Sequence, residues 1–405
     1  MNIIQANMRV VSISFCLLFL FVYIGKINAQ KTVAGLDERL KNVLAISNLP
    51  GFAVAVVKDD QVLFSKGYGY ADRKKKMPYT PETIQPVGSV SKTIIALAIM
   101  QCVDNGSFTL ETDINEILPF KIINPYFPRS VIRIRHLVTH TSGLLDVEST
   151  YLKTYAANKK PTMELKEFLK QYYTPGGTFY DSTNFGKYEP GKKYSYSNIA
   201  ASLAAYIVEI KQSVPFATYC TNKIFTPLKM TDSHWYYDEK KSNQYATLYE
   251  VNRQYDPIYK TLMNADGSLK IYSCISYPDG SLRTSLNDMT KYLVSMIKGY
   301  SGKPDLLTKK SFEILFRKQF TATDMPAAMD MKEPNRAVFW SYDRKGRLSH
   351  TGSDFGLAAF INFDPVTHIG RVVMINTELE GAENIQTIES VMNLMKSLDV
   401  FEQGK

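Results

Sequence analysis

Strand-like segments lie near both ends of the chain, with helical segments between them, and this arrangement most constrains the fold. Residues 52–57 form an apolar run of strand length, and residues 61–70 return after an Asp-Asp turn as a hairpin partner. Residues 356–363 and 369–376 form a second pair of this kind. Strands joined by short turns pair antiparallel. We therefore expect one antiparallel sheet built from both ends of the chain.

Apolar residues recur at helical spacing in five further segments. The predicted helices cover residues 36–47, 89–104, 198–211, 285–298 and 382–398. We expect an α+β fold in which the terminal helices cover the antiparallel sheet and a mainly helical subdomain is inserted at about 108–275. The α/β part would then comprise about 30–107 and 276–405. A cleft between two such parts is the expected place for a ligand site.

The N-terminus carries the pattern of a secretory signal peptide. Arg9 is the only charged residue among the first nine, and residues 10–25 form an apolar run. The run has 16 residues, fewer than the roughly 20 that a membrane-spanning helix needs. We expect residues 1–29 to be removed by cleavage after Ala29, leaving a single domain, 30–405, in the periplasm or the extracellular space. An uncleaved N-terminal membrane anchor is the alternative.

Charge and cysteine content exclude several classes of protein. The chain has 48 Lys and Arg against 39 Asp and Glu, a net charge of +9. The basic residues are scattered, whereas nucleic-acid binding needs a clustered patch, so no nucleic-acid partner is expected. Cys102, Cys220 and Cys274 lie outside the signal peptide, so at most one internal disulfide can form. None has an activating neighbour, which argues against a catalytic cysteine.

The first candidate catalytic motif is Ser89-Val90-Ser91-Lys92, at the start of the predicted 89–104 helix. Ser89 and Lys92 are three residues apart and therefore share one face of that helix. The residues that follow are apolar nearly all round, as in a buried helix. Burial disfavours the charged form of a lysine, which can then act as a base and activate the serine as a nucleophile. Alternatively, Ser89 only caps the helix and Lys92 extends to solvent.

The second motif is Tyr196-Ser197-Asn198, at the entrance of the predicted 198–211 helix. A phenol beside an ammonium group loses its proton more easily and can serve as general acid or base. An Asn side chain can orient a lysine or hold a substrate carbonyl. The alternative is that Asn198 is a helix cap and Tyr196 is a packing residue.

The third motif is His350-Thr351-Gly352-Ser353, which precedes a predicted strand. At the edge of the sheet the backbone N–H of Ser353, together with that of Ser89, can stabilise a developing oxyanion. Gly352 would permit the close approach of a substrate. A polar turn before the strand is the alternative.

The three motifs in this order make the chain resemble the serine β-lactamase and penicillin-binding-protein superfamily. It looks most like the branch of class C β-lactamases, D-alanyl-D-alanine carboxypeptidases, D-aminopeptidases and related esterases. Residues 134–144 (IRHLVTHTSGL) are similar to the "RHLLTHTSGL" segment of that branch, and residues 278–288 (PDGSLRTSLND) are similar to its "PAGGLRSTANDL" segment. The resemblance runs from about residue 36 to 398. It implies a β-lactamase/transpeptidase-like fold and no cofactor.

The resemblance also implies roles for the residues of the three motifs. Ser89 would attack a carbonyl and form an acyl-enzyme, with Lys92 and Tyr196 sharing the proton transfers. The backbone N–H groups of Ser89 and Ser353 would form the oxyanion hole. The residues that would orient or bind the substrate are Asn198, His350, Thr351 and Gly352. No residue can be placed as the deacylating glutamate of class A enzymes.

One departure from the superfamily bears on the substrate. Most β-lactamases and penicillin-binding proteins have Lys at the position of His350, and a Lys there attracts a substrate carboxylate. An imidazole is mostly neutral at pH 7. We therefore expect an exported serine hydrolase that acts on an ester, an amide or a D-peptide. The alternatives are a β-lactamase or D-alanyl-D-alanine carboxypeptidase, or a penicillin-binding sensor with little turnover.

His136 and His140 raise one further alternative. Two histidines four residues apart on one helix face could ligate zinc, as in a metallohydrolase. The sequence offers no obvious third ligand, and the segment already has a family interpretation, so we expect no metal site. The partners expected for this chain are small-molecule or peptide substrates.

Overall fold

The computed structural model describes residues 31–250, 257–379 and 385–405. The helices of the described residues are α1 (Val33–Ile46), α2 (Ser91–Asp104), α3 (Ile134–Val138), α4 (Glu148–Tyr151), α5 (Leu165–Tyr173), α6 (Asn198–Gln212), α7 (Phe216–Cys220), α8 (Pro257–Leu262), α9 (Leu286–Tyr300), α10 (Lys309–Phe316) and α11 (Ile385–Glu402). The strands are β1 (Gly51–Lys58), β2 (Gln61–Asp72), β3 (Met77–Pro78), β4 (Ile84–Pro86), β5 (Tyr155–Ala156), β6 (Ser273–Cys274), β7 (Arg283–Ser285), β8 (Asn335–Arg336), β9 (Ser341–Tyr342), β10 (Leu348–Asp354), β11 (Leu357–Phe363) and β12 (Ile369–Ile375).

The described residues form two compact units. The smaller unit consists of residues 31–49 and 385–405, in which helices α1 and α11 pack on each other. Thr32 caps α1, since its hydroxyl accepts a hydrogen bond from the backbone N–H of Gly35. The larger unit holds the sheet and the remaining helices. The expectation of one domain over 30–405 stays a prediction.

The main sheet of the larger unit has eight antiparallel strands in the order β3-β2-β1-β12-β11-β10-β9-β8. Strand β1 pairs with β12, with Phe52 opposite Ile375 and Lys58 opposite Ile369. Every residue of β12 is buried, which explains why its sequence is apolar except for Arg371. The predicted antiparallel sheet, assembled from both ends of the chain, is confirmed.

Helix α9 packs on the sheet against β1, β2, β11 and β12. Helix α2 lies deeper, between α6 and α10, and almost every side chain of α2 is buried. The segment between the two groups of sheet strands is mainly helical, since it contains α3 to α8 with only short strands between them. The predicted α+β fold, with a sheet flanked by helices and an inserted helical part, is confirmed.

Two differences from the sequence prediction lie at the candidate site. The residues predicted as one helix, 89–104, belong to two elements, a single 3-10 turn over Gly88–Val90 and then the helix α2. The motif from His350 to Ser353 was predicted as a segment before a strand, whereas it forms the strand β10 itself. Its sequence is polar and lacks a strand pattern, and pairing with β11 along its whole length holds it extended.

The expected signal peptide, residues 1–29, lies outside the described residues. Within the described ranges, no helix combines the length and the apolar character needed to cross a membrane. Cys102, Cys220 and Cys274 are buried and free, so these three thiols form no disulfide. Burial raises the pKa of the Cys102 thiol to about 12, which agrees with an inert packing residue.

Candidate active site

Strand β10 and the 3-10 turn that carries Ser89 approach each other at two glycines. Gly88 has φ +54, and a Cβ atom there would lie 2.9 Å from the backbone nitrogen of Ser353. A Cβ atom on Gly352 would lie 2.0 Å from the backbone oxygen of Val87. Strand β9 pairs only with the start of β10. The turn that carries Ser89 lies along the rest of β10, which β9 does not cover. Gly352 therefore admits the backbone beside Ser89, whereas the sequence had suggested that it admits a substrate.

Lys92 is fully buried, and its ammonium group lies among three oxygen atoms. Its Nζ atom is 2.9 Å from Ser89 Oγ, 2.7 Å from Asn198 Oδ1 and 2.8 Å from the backbone oxygen of Asp279. Lys92 thus does not extend to solvent, and no side chain caps α2. The two residues of the first motif are hydrogen-bonded neighbours, as their spacing predicts.

The three partners of Lys92 differ in what they can do. Asn198 Oδ1 and the backbone oxygen of Asp279 can only accept hydrogen bonds, whereas Ser89 Oγ can accept or donate. A charged Lys92 satisfies all three with its three protons. A neutral Lys92 has two protons, which the two obligatory acceptors take, and its lone pair is left for the hydroxyl proton of Ser89. The arrangement is therefore able to direct the lone pair of the amine at the serine.

The start of helix α6 fixes Asn198. The helix is capped by Ser197, whose hydroxyl accepts from the backbone N–H of Ala200 at 3.0 Å. The carboxylate of Asp146 accepts from the Ser197 hydroxyl at 2.6 Å and from the backbone N–H groups of Asn198 and Ile199 at 2.6 and 3.1 Å. Because Ser197 is the cap, the side chain of Asn198 is available for Lys92. The alternative in which Asn198 is the cap is wrong.

We expect the substitution Asp146→Ala to lower the free energy of unfolding by about 2 kcal/mol, because it removes three hydrogen bonds and a favourable charge at a helix N-terminus. Urea denaturation followed by circular dichroism measures the change. Asp238→Ala is the matched control, since Asp238 caps only the short 3-10 helix Glu239–Gln244 at the surface. An equal loss in both variants would contradict the role given to Asp146.

Tyr196 lies beside Lys92 and is 37% exposed. The Lys92 Nζ atom lies over its ring, 5.0 Å from the ring centroid. The ring also stacks on His140, with centroids 4.2 Å apart, and His140 Nδ1 accepts from the backbone N–H of Ser197 at 3.2 Å. His140 therefore acts as a platform that holds Tyr196 between the lysine and the opening of the site.

His350 is buried on β10, and its Nδ1 atom is 2.7 Å from the backbone oxygen of Thr351. Burial, the nearby charge of Lys92 and that of Arg336 lower the pKa of His350 to about 3. The imidazole is therefore neutral at pH 7, as the sequence led us to expect. Thr351 is exposed beside it.

A cavity of about 590 Å³ opens in front of these groups. The predicted site residues that line it are Ser89, Tyr196, Asn198, His350, Thr351 and Ser353. Lys92 and Gly352 lie behind this lining. The structure thus brings all residues of the three motifs together around one cavity, in positions that allow a hydroxyl, a base and backbone N–H groups to act on one carbonyl.

Several residues of the site were not identified from the sequence. They are Asp146, Tyr151, Tyr155, Asp279, Arg336 and Asp354. Asp279 lies in the segment 278–288 and Asp146 follows the segment 134–144 by two residues, so proximity to the two family-like segments was a usable signal for them. Arg336, on β8, has no local pattern around it that would identify a site residue.

The histidine pair does not have the geometry of a metal site. Helix α3 ends at Val138, and His140 has φ +55, so the two histidines do not share a helix face. His136 Nδ1 accepts from the backbone N–H of Arg133 at 3.1 Å. Across the described ranges, no cluster of three or more His, Cys, Asp or Glu side chains is placed to hold a metal ion.

Comparison with known proteins gives a family and a fold. The β-lactamase family model matches residues 36–392. Protein flp of Staphylococcus aureus (strain N315) is 24% identical over 380 residues, which cover 89% of this chain and 69% of flp.

Two solved structures are similar to the chain as folds. The β-lactamase/D-alanine carboxypeptidase from Yersinia pestis, complexed with citrate, has a TM-score of 0.67 at 19% identity. The match covers 88% of this chain and 95% of the Yersinia pestis chain. EstCE1, described as a hydrolase with promiscuous acyltransferase activity, has a TM-score of 0.67 at 18% identity and covers 90% of this chain and 98% of its own. These likenesses confirm the β-lactamase/transpeptidase-like fold.

Proposed function

This chain belongs to the β-lactamase family, and from that premise we propose that it is a serine hydrolase that forms an acyl-enzyme on Ser89. Its substrate is an ester, an amide or a D-peptide. The observation that carries the proposal is the position of Lys92, whose Nζ atom is held by two obligatory acceptors and lies 2.9 Å from Ser89 Oγ. A buried lysine with this set of partners is the base that a serine nucleophile needs.

In the acylation step the hydroxyl proton of Ser89 passes to the neutral amine of Lys92 while Oγ bonds to the substrate carbonyl carbon. The charge that develops on the carbonyl oxygen is stabilised by the backbone N–H groups of Ser89 and Ser353. Tyr196, over whose ring Lys92 lies, passes the proton on to the leaving group. Asn198 keeps Lys92 oriented throughout, and water or another acceptor then removes the acyl group.

The oxyanion hole is supported by the contact between the Ser89 turn and β10. Because positions 88 and 352 are glycines, the two backbones can approach closely. A Cβ atom at position 352 would lie only 3.2 Å from the backbone nitrogen of Ser89. The Ser89 turn also leads directly into α2, whose N-terminus favours negative charge.

The substrate class follows from the charge of the third motif. The neutral, buried His350 supplies no cation for a carboxylate, so the substrate does not depend on a carboxylate at that position. The similarity to EstCE1, a hydrolase with promiscuous acyltransferase activity, is compatible with an ester or amide substrate.

A D-alanyl-D-alanine carboxypeptidase is a second candidate, and Arg336 favours it. This residue lines the cavity, is 6% exposed, and has a buried Nε atom without a hydrogen-bond partner among the described residues. Its Nη1 atom bonds to Ser341 and Glu333. A guanidinium group so placed can pair with the terminal carboxylate of a peptide.

We expect His350→Lys to raise the reactivity towards carboxylate-bearing β-lactams about tenfold, because it restores a cation beside the carboxylate position. The second-order rate constant for acylation by benzylpenicillin measures this, and a neutral ester serves as control substrate. An unchanged rate would mean that the carboxylate is held elsewhere, with Arg336 as the candidate.

An intact-mass spectrum after exposure to benzylpenicillin, with hydrolysis of the drug followed in parallel, separates the substrate classes. A lasting adduct would identify a penicillin-binding or carboxypeptidase-like protein, and hydrolysis without an adduct would identify a β-lactamase. The proposal predicts no lasting adduct and no hydrolysis of benzylpenicillin. It predicts turnover of p-nitrophenyl esters or of D-amino-acid p-nitroanilides. Absence of turnover on every one of these substrates would contradict it.

Export is part of the proposal. Residues 1–29 have the pattern of a cleaved signal peptide, and residues 30–405 would be the mature domain, acting in the periplasm or outside the cell. The N-terminal residue of the secreted protein tests this. Gln30 is the expected N-terminus, and recovery of the intact N-terminus in a membrane fraction would favour an anchor instead.

A further inference from the structure

One wall of the cavity carries a chain of hydrogen bonds that the acylation step does not use. The Tyr151 hydroxyl is 3.0 Å from Asp279 Oδ1 and 3.2 Å from the Tyr155 hydroxyl, and the Tyr155 hydroxyl is 3.3 Å from Asp354 Oδ2. All four residues line the cavity together with Ser89. Two carboxyl groups are thus joined by two phenols beside the candidate nucleophile.

The two phenols supply two protons to three oxygen–oxygen contacts, and ionised carboxylates supply none. One further proton on a carboxyl group would complete the chain of hydrogen bonds, and without it one contact has no proton. Burial, with the charge of Asp279 nearby, raises the pKa of Asp354 to about 7, and burial also raises the pKa of Asp279. The chain consequently gains or loses a proton near neutral pH.

Asp354 is the end of the chain that lies on the strand facing the Ser89 turn. It follows Ser353 on β10, the strand that lies against the Ser89 turn. Its Oδ1 atom accepts from the backbone N–H of Phe355 at 2.8 Å, which fixes the carboxyl group. A Cβ atom on Gly280 would lie 3.8 Å from Asp354 Oδ2 and 3.9 Å from the carbonyl carbon of Gly88. The carboxyl group and the backbone before Ser89 thus approach the same point of the cavity wall.

We propose that Asp354 is the general base of deacylation, with Tyr155, Tyr151 and Asp279 as positioning residues that share its proton. The inference rests on the proposed function, since it needs an acyl-enzyme on Ser89. It supplies the residue that the sequence did not identify, a counterpart in role to the deacylating glutamate of class A enzymes.

The step balances as follows. A water molecule gives a proton to the Asp354 carboxylate while its oxygen bonds to the acyl carbon. The bond between that carbon and Ser89 Oγ then breaks. The proton held by Asp354 passes through solvent in the cavity to Oγ, which restores the Ser89 hydroxyl and the Asp354 carboxylate and leaves Lys92 as the neutral amine that the next acylation needs. The net change is one water consumed and one carboxylic acid released.

The pH dependence follows from the charges around Asp354. The titratable and charged groups that act on it are Asp279, Glu378, Tyr151, Tyr155, Tyr272 and Cys274, with Arg283 on the same side. The negative groups favour its protonated form. A general base must be ionised to accept a proton. The rate of deacylation should therefore be highest above the pKa of Asp354 and fall as the pH drops through about 7.

The variant Asp354→Asn tests the inference with p-nitrophenyl acetate in a stopped-flow experiment. The burst of p-nitrophenol, which reports acylation, should keep an amplitude near one equivalent. The steady-state rate, which reports deacylation, should fall about 10²-fold, and its acid limb should disappear. Asp305→Asn is the matched control, because Asp305 accepts a hydroxyl hydrogen bond from Ser295 outside the cavity.

Tyr155→Phe gives a second, independent readout. Its hydrogen bond lowers the pKa of Asp354, so its loss should move the acid limb of the steady-state rate to higher pH. The inference would be overturned if Asp354→Asn lowered the burst and the steady-state rate equally, or if it lowered neither. It would also be overturned if the acid limb of Tyr155→Phe did not move. Failure of a fluorophosphonate to label the wild-type protein would instead overturn the proposed function.

Discussion

We expect the replacement of Ser89 by alanine to abolish covalent labelling by a fluorophosphonate and to lower hydrolysis by about 10⁵-fold or more, the order expected when the nucleophile of a serine hydrolase is removed. The fold should survive, because the hydroxyl is at the cavity surface and its hydrogen bond among the described residues is to Lys92. Intact-mass spectrometry measures labelling, and thermal denaturation verifies the fold.

Ser91→Ala is the matched control for this prediction. Ser91 lies two residues further along the same segment, is fully buried, and its hydroxyl accepts from the backbone N–H of Leu282 at 3.1 Å. Its loss should cost about 1–3 kcal/mol of stability, because a buried N–H loses its partner. Labelling should persist. Labelling of the Ser89→Ala variant at the wild-type rate would refute the assignment of the nucleophile.

The second large effect is expected from Lys92→Met. Methionine keeps the length of an unbranched side chain but provides no proton acceptor for Ser89. The rate of labelling by the fluorophosphonate should fall about 10³–10⁴-fold, the upper range for loss of a general base. Stopped-flow labelling of wild type and variant, both with Ser89 intact, gives the ratio.

Lys291→Met separates this effect from the general loss of a lysine. Lys291 lies on α9, where it donates to Asp288 and to the backbone oxygen of Lys229. Its replacement should leave the labelling rate within about twofold of wild type, as for a surface change away from the site. Comparable rates for Lys92→Met and wild type would show that Ser89 is activated by another group, with Tyr196 as the first candidate.

The sequence predicts those parts of the fold in which local pattern and tertiary environment agree. Strands β1 and β12 are apolar except for Lys58 and Arg371 because the interior surrounds them, and the buried residues of helix α6 are apolar except for Ser202. In the site, the spacing of Ser89 and Lys92 predicts their contact, since both positions belong to consecutive helical turns.

The remainder depends on contacts that no local pattern records. Strand β10 is polar and extended only because β11 pairs with it. Gly352 is needed for a neighbouring backbone, which the sequence around it does not show. Asp354 and Tyr155 are almost 200 residues apart, and their shared proton arises only where the fold buries them together.

The most direct test of the acyl-enzyme is a rapid-quench experiment with an ester substrate, followed by tryptic digestion and mass spectrometry. Cleavage after Lys76 and Lys92 releases residues 77–92, the peptide that contains Ser89. We predict that the mass of the acyl group appears on Ser89 within the first turnover and disappears as the substrate is exhausted. Product formation with no acyl group on this peptide, or with the acyl group on another residue, would contradict the account.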